Sequence, residues 1–279
     1  MNAAHPAATI VRSESGGYPH RMVDIHCHLL PGLDDGPETI EESVEMAEMA
    51  LADGITHIAA TPHSNDMFSF DAERNLELCR ELGARLEGRL NLATGCDFHL
   101  NYENVEAASI SPAKFALNQK QYLLLEFAEF SLPQFLDQTL GRLQVAGLKL
   151  IVTHPERNAL VRAAPERLRS WIAGGCYVQI TGQSLTGRFG PAAERAALEY
   201  LDRGWAHFVA SDGHNVGRRP PQLRAAYDLV AARRGPQVAH ALFQENPLAA
   251  WKGEPLPWAP EPDPVDSRAG SRKKRFFFF

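Results

Sequence analysis

Seven short apolar or β-branched runs recur along the chain, at residues 22–26, 55–60, 92–95, 122–127, 148–153, 176–180 and 207–210, with longer stretches of helical periodicity between them. Parallel strands cannot be joined by tight turns, because each connection must carry the chain back across the sheet. The alternation therefore predicts repeated βα units around a parallel sheet, an α/β fold. Seven strands with their helices would close into a TIM-like barrel one unit short of the common eight. Residues 40–52 place Ile40, Val44, Ala47 and Leu51 on one helical face behind a Thr39/Glu42 capping box, and Gly54 closes that helix. A second helix is expected from Asp71 to about residue 86, presenting Leu76, Cys79, Leu82 and Leu86. Further helical windows lie at 134–146, 165–173, 191–203 and 222–233.

Composition narrows the function. Against 34 acidic residues stand 28 basic ones, a net charge of −6, and a mildly acidic chain lacks the basic field that nucleic-acid or anionic-membrane binding requires. Hydrophobic residues make up 44% of the 279, enough for a sizeable core. No apolar run is long enough to span a bilayer and residues 1–20 lack a secretory apolar segment, so a cytoplasmic location without membrane insertion is expected. Cys27, Cys79, Cys96 and Cys176 are widely spaced and read as free thiols of a reducing compartment. Residues 1–21 read as a disordered lead-in. Residues 254–279, Pro-rich, then basic at 272–275 and ending in Phe276 to Phe279, read as a disordered tail, which leaves 22–253 as the folded unit.

In parallel βα barrels the functional groups collect at the carboxyl ends of the strands. Here those ends carry His26 and His28, then Asp35; His63; Asp97; Glu126; His154; and Asp212 with His214. Alternate residues of a strand share a face, so His26 and His28 can meet one ion while Cys27 points away. Imidazole with carboxylate suits Zn, Mn or Fe. Nine such groups exceed what one catalytic ion takes, which implies two or three ions sharing a bridging carboxylate. Such a cluster activates water and clamps a phosphoryl group. His5, His20, His57, His207 and His240 read as structural; His99, two residues past Asp97, is a weaker site candidate.

Arg157 follows His154 and Arg219 follows His214, so both are candidates to bind phosphate oxygens through their planar forks, ahead of Arg188 and Arg218. Cys79 and Arg85 match the bare C-x5-R spacing of cysteine-dependent phosphatases, but the intervening residues continue a helix, where the thiolate would find no loop of backbone donors.

The stretches Asp24-Ile25-His26-Cys27-His28, Asp34-Asp35-Gly36, Thr61-Pro62-His63, Glu126-Phe127, Thr153-His154-Pro155-Glu156-Arg157-Asn158 and Ser211-Asp212-Gly213-His214-Asn215 together resemble one family across about residues 22–252. It comprises the manganese-dependent bacterial protein-tyrosine phosphatases of capsule and exopolysaccharide synthesis, in the polymerase and histidinol phosphatase (PHP) superfamily. The resemblance implies a distorted (β/α)7 barrel holding three ions, Mn2+ by preference, with Zn2+, Fe2+ or Co2+ as alternatives. It allots His26, His28 and Asp212 to one ion, His154 to a second, and Asp35, His63 and His214 to a third, with Asp97 and Glu126 linking or completing the first two. The family usually has Glu where Asp97 stands. The implied reaction is attack of a metal-bridging hydroxide on phosphotyrosine, with Arg157 and Arg219 neutralising charge, and the implied partner is a tyrosine autokinase of polysaccharide export. Rival readings are a PHP small-molecule phosphoesterase such as histidinol-phosphate phosphatase, a barrel amidohydrolase, disfavoured because no strand end offers a lysine, and a non-catalytic metal-binding regulator. The oligomeric state is left open.

Overall fold

The computed structural model describes residues 21–260. Its strands are β1 (Met22–Cys27), β2 (Ile55–Ala60), β3 (His63–Ser64), β4 (Asn91–Thr94), β5 (Asp97–His99), β6 (Tyr122–Glu126), β7 (Lys149–Thr153), β8 (Tyr177–Thr181) and β9 (Phe208–Ala210). The helices are α1 (Ile40–Asp53), α2 (Ala72–Arg85), α3 (Tyr102–Ile110), α4 (Leu136–Val145), α5 (Ala159–Ala163), α6 (Pro165–Ala173), α7 (Gly182–Leu185), α8 (Gly190–Asp202), α9 (Arg224–Arg234), α10 (Pro236–His240) and α11 (Asn246–Lys252). Every strand pairing is parallel, in the orders β1-β2-β4 and β3-β5-β6-β7-β8-β9.

All seven predicted strands form, and the two additional ones continue β2 and β4 after a break. Pro62 has no N–H to donate, so the ladder is interrupted between β2 and β3. Gly95 and Cys96 interrupt the neighbouring strand at the same height, and the seam is held by Gly95 N–H to Ala60 O (2.9 Å) and Asp97 N–H to Pro62 O (3.0 Å). First and last strands meet at their carboxyl ends: Asp212 N–H donates to His26 O and His28 N–H to Gly213 O, both at 2.8 Å. Asp24 adds a side-chain stitch, accepting from Ser211 N–H at 3.0 Å and from its hydroxyl at 2.5 Å. Burial raises the Asp24 carboxyl to about 6 although those bonds oppose the rise.

Two apolar layers result. Val23, Ile25, Ala59, Leu124, Ile151, Phe208 and Ala210 form an inner cluster, whereas Leu123, Leu125, Leu150, Val152 and Val209, alternating with them, pack outward with the helices. In β1 the pairing slips between Asp24 and Cys27, which puts an extra residue on that strand. This bulge changes the phase: Val23 and Ile25 belong to the inner cluster, and beyond it His26 and His28 belong to the polar mouth. Helix α1 has the expected capping box, Glu42 N–H donating to Thr39 Oγ1 at 3.2 Å, and ends at Gly54 with φ +95°. Its buried face is Ser43, Met46, Ala47 and Ala50, one step round from the predicted stripe, so Ile40, Val44 and Leu51 are only partly buried. In α2 the buried residues are Asn75, Leu78, Cys79 and Leu82, with Leu86 at the cap and Leu76 at the margin.

Helix α11 and the residues after it cross the barrel floor, where Tyr122 donates its hydroxyl to Glu254 O at 2.7 Å and Leu256 packs against the inner cluster. Of the tail expected to be disordered, residues 254–260 are described and are anchored by Leu256 and Trp258; the rest of the tail and the lead-in, except Arg21, lie outside the described residues. The inner cluster is fully enclosed and cannot collapse around a void. Leu124→Ala is therefore expected to lower unfolding free energy by about 2–5 kcal/mol in a denaturant titration.

Candidate metal centre

The mouth of the barrel brings together all nine candidate ligands. His28, Asp35, His63 and His214 form one grouping; His26, His28 and Asp97 form a second; His63, Asp97 and Glu126 form a third. Asp212 Oδ1 lies 3.4 Å from both His26 Nε2 and His28 Nε2, and His154 Nε2 lies 3.7 Å from Glu126 Oε1. His63 faces two groupings at once: Nε2 stands 3.5 Å from Asp35, and Nδ1 stands 3.3 Å from Asp97 and 3.4 Å from Glu126. Asp97 presents Oδ2 to His26 at 3.4 Å and to His63 at 3.3 Å. His99 sits on β5 but in none of these groupings.

These spacings suit cations. Two ligand atoms at about 2.1 Å from one ion, roughly a right angle apart or a little wider, stand about 3.0–3.5 Å from each other. Both carboxylate oxygens of the fully buried Asp97, Nδ1 of His63 and Nε2 of His214 are buried without a hydrogen-bond partner among the described residues. Buried polar atoms left unpaired are costly, and a set that faces inward on one space fits divalent ions.

Surrounding groups hold the ligands in place. Asp34 accepts from His28 Nδ1 at 2.7 Å and from the backbone N–H groups of Gly36 and His63, which leaves Nε2 of His28 as its ligand atom. Gln179 lies 2.9 Å from His26 Nδ1 and does the same for that ring. Glu156 is no ligand: fully buried, it accepts from Thr181 N–H and the Ser184 hydroxyl and ties the end of β7 to β8. Asp34 and Gln179 were not singled out from sequence; the carboxylate next to Asp35 was the only available signal. Two candidate ligands stand on strained backbone, His154 at φ +32° and Asp212 at φ +52°, a region that side-chain-bearing residues rarely occupy.

Electrostatics divides the imidazoles. Burial pushes His26 down, but Asp97 and Asp212 outweigh it and raise the ring to about 9; for His63 the neighbouring carboxylates of Asp97 and Glu126 likewise overcome burial and raise it to about 11. Burial, with Arg157 beside His154 and His28 beside His214, keeps these two rings neutral, His214 at about 4. Without an ion the buried carboxylates are thus balanced by imidazolium protons, which an entering cation must displace. Metal uptake is expected to release protons and to strengthen as pH rises from neutrality toward those two values, as measured by calorimetry in buffers of differing ionisation heat.

Arg157 and Arg219 converge beside the cluster. Both guanidinium groups donate to Asp212 Oδ2, Arg219 at 2.5 Å, and Phe189 packs under both, its ring centroid 4.3 Å from Arg157 and 5.9 Å from Arg219. Burial alone would raise the Asp212 carboxyl; the two arginines and His26 hold it well below the usual range. Their backbones are fixed as well. Asn158 caps α5 directly after Arg157, and Asn215 Oδ1 accepts from the N–H groups of Gly217, Arg218 and Arg219. Arg188 and Arg218 are exposed.

The matching family model describes capsular polysaccharide synthesis, CpsB/CapC, and covers residues 22–251. The chain belongs to the CpsB/CapC family. Among its relatives are the tyrosine-protein phosphatase YwqE of Bacillus subtilis, 33% identical over 92% of this chain and 100% of the relative, and the tyrosine-protein phosphatase CpsB of Streptococcus pneumoniae, 29% identical over 81% and 96%. A solved structure from work on YwqE and CpsB, described as unique metal-dependent tyrosine phosphatases, matches with TM-score 0.81 at 32% identity, covering 88% of this chain and 99% of that one. A lactonase from Listeria monocytogenes matches at TM-score 0.55 and 12% identity, over 85% of this chain and 96% of that one, and shows the barrel-like fold alone. No helix among the described residues is long and apolar enough to cross a membrane.

In this CpsB/CapC chain Cys79 stands within α2, as its spacing predicted, and burial raises its thiol to about 11, the reverse of what a nucleophile needs. The four cysteines are buried and free. Cys79→Ser is expected to leave activity intact. Asp34→Asn should weaken metal binding about 10–100-fold by freeing the His28 ring, read from metal content after dialysis.

Proposed function

We propose that this CpsB/CapC chain is a metal-dependent protein-tyrosine phosphatase. Its substrate is the phosphotyrosine of a cytoplasmic protein, a tyrosine autokinase of polysaccharide export. Residues 22–253 form the catalytic unit, with His26, His28, Asp35, His63, Asp97, Glu126, His154, Asp212 and His214 holding as many as three ions, Mn2+ by preference. The observation that carries the reading is the meeting of unpartnered imidazole and carboxylate atoms with two arginines anchored on the same Asp212.

Bound divalent ions supply Lewis acidity and lower the pKa of water at the site. The protein's own groups do the rest. Arg157 and Arg219 present fixed N–H forks to the equatorial oxygens of the phosphoryl group, where charge develops in the transition state. Asp212 and Phe189 hold both forks ready before substrate arrives, which reduces reorganisation at the moment of reaction. A phenol leaves with a pKa of about 10, far below that of an alkyl alcohol, so an aryl ester requires little protonation of the departing oxygen. This favours phosphotyrosine over phosphoserine and histidinol phosphate.

The test is hydrolysis of phosphotyrosine peptide, phosphoserine peptide and histidinol phosphate, each with and without manganese. Turnover confined to the aryl ester and dependent on metal supports the proposal; preference for histidinol phosphate sinks it. His154→Ala or His214→Ala should abolish hydrolysis and reduce bound metal while the circular dichroism spectrum persists. Arg157→Ala should keep its metal and lose about 10²–10³-fold in kcat.

A further inference from the structure

Among the described residues, the exposed large apolar side chains are unevenly placed. Met67, Tyr102, Phe130, Phe135 and Leu160 all lie on segments that leave the carboxyl ends of strands, around the mouth; only Ile110 and Val145 lie at the far ends of their helices. Phe130 is 92% exposed, Tyr102 78% and Phe135 62%. Clustered exposed apolar groups mark a contact surface. Two of them, Tyr102 and Phe135, border a cavity of about 400 Å³ between α3 and α4, lined also by Leu100, Val105, Pro133 and Arg142. None of the candidate metal ligands lines this groove, but its wall is tied to the strand that ends at Glu126. Leu100 N–H donates to the backbone oxygen of Glu126 at 3.3 Å, and Asn101 Nδ2 donates to Asp66 Oδ1, beside Met67.

Charge divides the same rim. Arg157, Arg162, Arg188, Arg218 and Arg219 belong to the connections after β7, β8 and β9, whereas exposed Asp66, Glu103 and Glu129 flank the side with the groove. A phosphate dianion is drawn to the arginine half, which leaves the acidic, apolar half free to meet neighbouring residues that carry no negative charge.

We propose that the groove between α3 and α4 grips the substrate polypeptide beside its phosphotyrosine, by taking an apolar or aromatic side chain a few residues away in a segment without acidic neighbours. This rests on the phosphotyrosine reading above and adds the element that makes a protein, rather than a small aryl phosphate, the preferred substrate. A small ester is held only at the ions and arginines; an extended chain reaches the groove as well, and its cost of ordering is offset by the aromatic contact.

Two phosphotyrosine peptides, identical except for Leu and Phe or Asp and Ser at the positions two to four residues on either side, test this. The wild-type protein should show about tenfold higher kcat/KM for the apolar-flanked peptide, equivalent to about 1.4 kcal/mol. Tyr102→Ser with Phe135→Ser, both at exposed positions, should erase that preference through KM while turnover of p-nitrophenyl phosphate stays unchanged. The proposal is overturned if the wild type shows no preference or the double variant retains it. It is equally overturned if p-nitrophenyl phosphate and peptide turnover fall together, or if the double variant alters the sedimenting mass, which would make the groove a self-association face. Absence of any phosphotyrosine hydrolysis by the wild type would instead strike the phosphatase reading itself.

Discussion

Buried negative charge is the constraint that organises this molecule. Asp97 and Asp212 are enclosed at the mouth of an apolar barrel, and Asp35 and Glu126 border them. Carboxylates in such surroundings must be neutralised or paired, since desolvation penalises each unpaired charge by several kcal/mol. Every neighbouring feature answers that demand. His26 and His63 hold protons, Arg157 and Arg219 lean on Asp212, and Asp34 and Gln179 fix the rings that face the carboxylates. The arrangement that fits cations is therefore also the one that keeps the buried acids tolerable.

The barrel serves this arrangement through its irregularities. Ideal parallel strands would continue one alternation from floor to mouth, yet the slip in β1 moves the chain from an apolar inner face at Ile25 to a polar one at His26. The interruptions at Pro62 and at Gly95-Cys96 restart two strands as β3 and β5, and His63 and Asp97 then stand opposite each other in register. Gly95 is needed there because a Cβ would come within 2.7 Å of Leu117 and 3.0 Å of Thr61.

Much of this was legible in the residues alone. The seven main strands announced themselves because they are mostly buried and their runs are rich in apolar and β-branched residues, and all nine candidate ligands stood where such strands end. What escaped were features whose partners lie far apart in the chain. Strands β3 and β5 are too short for a period; β3 is defined by its pairing with β5, and β5 by its pairing with β3 and β6. The inward face of α1 includes Ser43, whose hydroxyl is satisfied by Thr39 O, so the buried face lies one step round from the apolar stripe. Gln179 orients His26 across 153 positions. The allotment of ligands to ions, drawn from resemblance, gave His63 a single role, whereas its two nitrogens face different groupings.

The left-handed backbone at His154 and Asp212 has an evolutionary consequence. Each such position costs about 1–3 kcal/mol and persists only where the surrounding structure compels it. Glycine or asparagine would relax either turn, so a descendant freed from selection for turnover would gain robustness by discarding these two residues first. Sequences that keep a histidine and an aspartate at both turns are thereby marked as still under selection for chemistry, and those that have drifted to glycine as retired scaffolds.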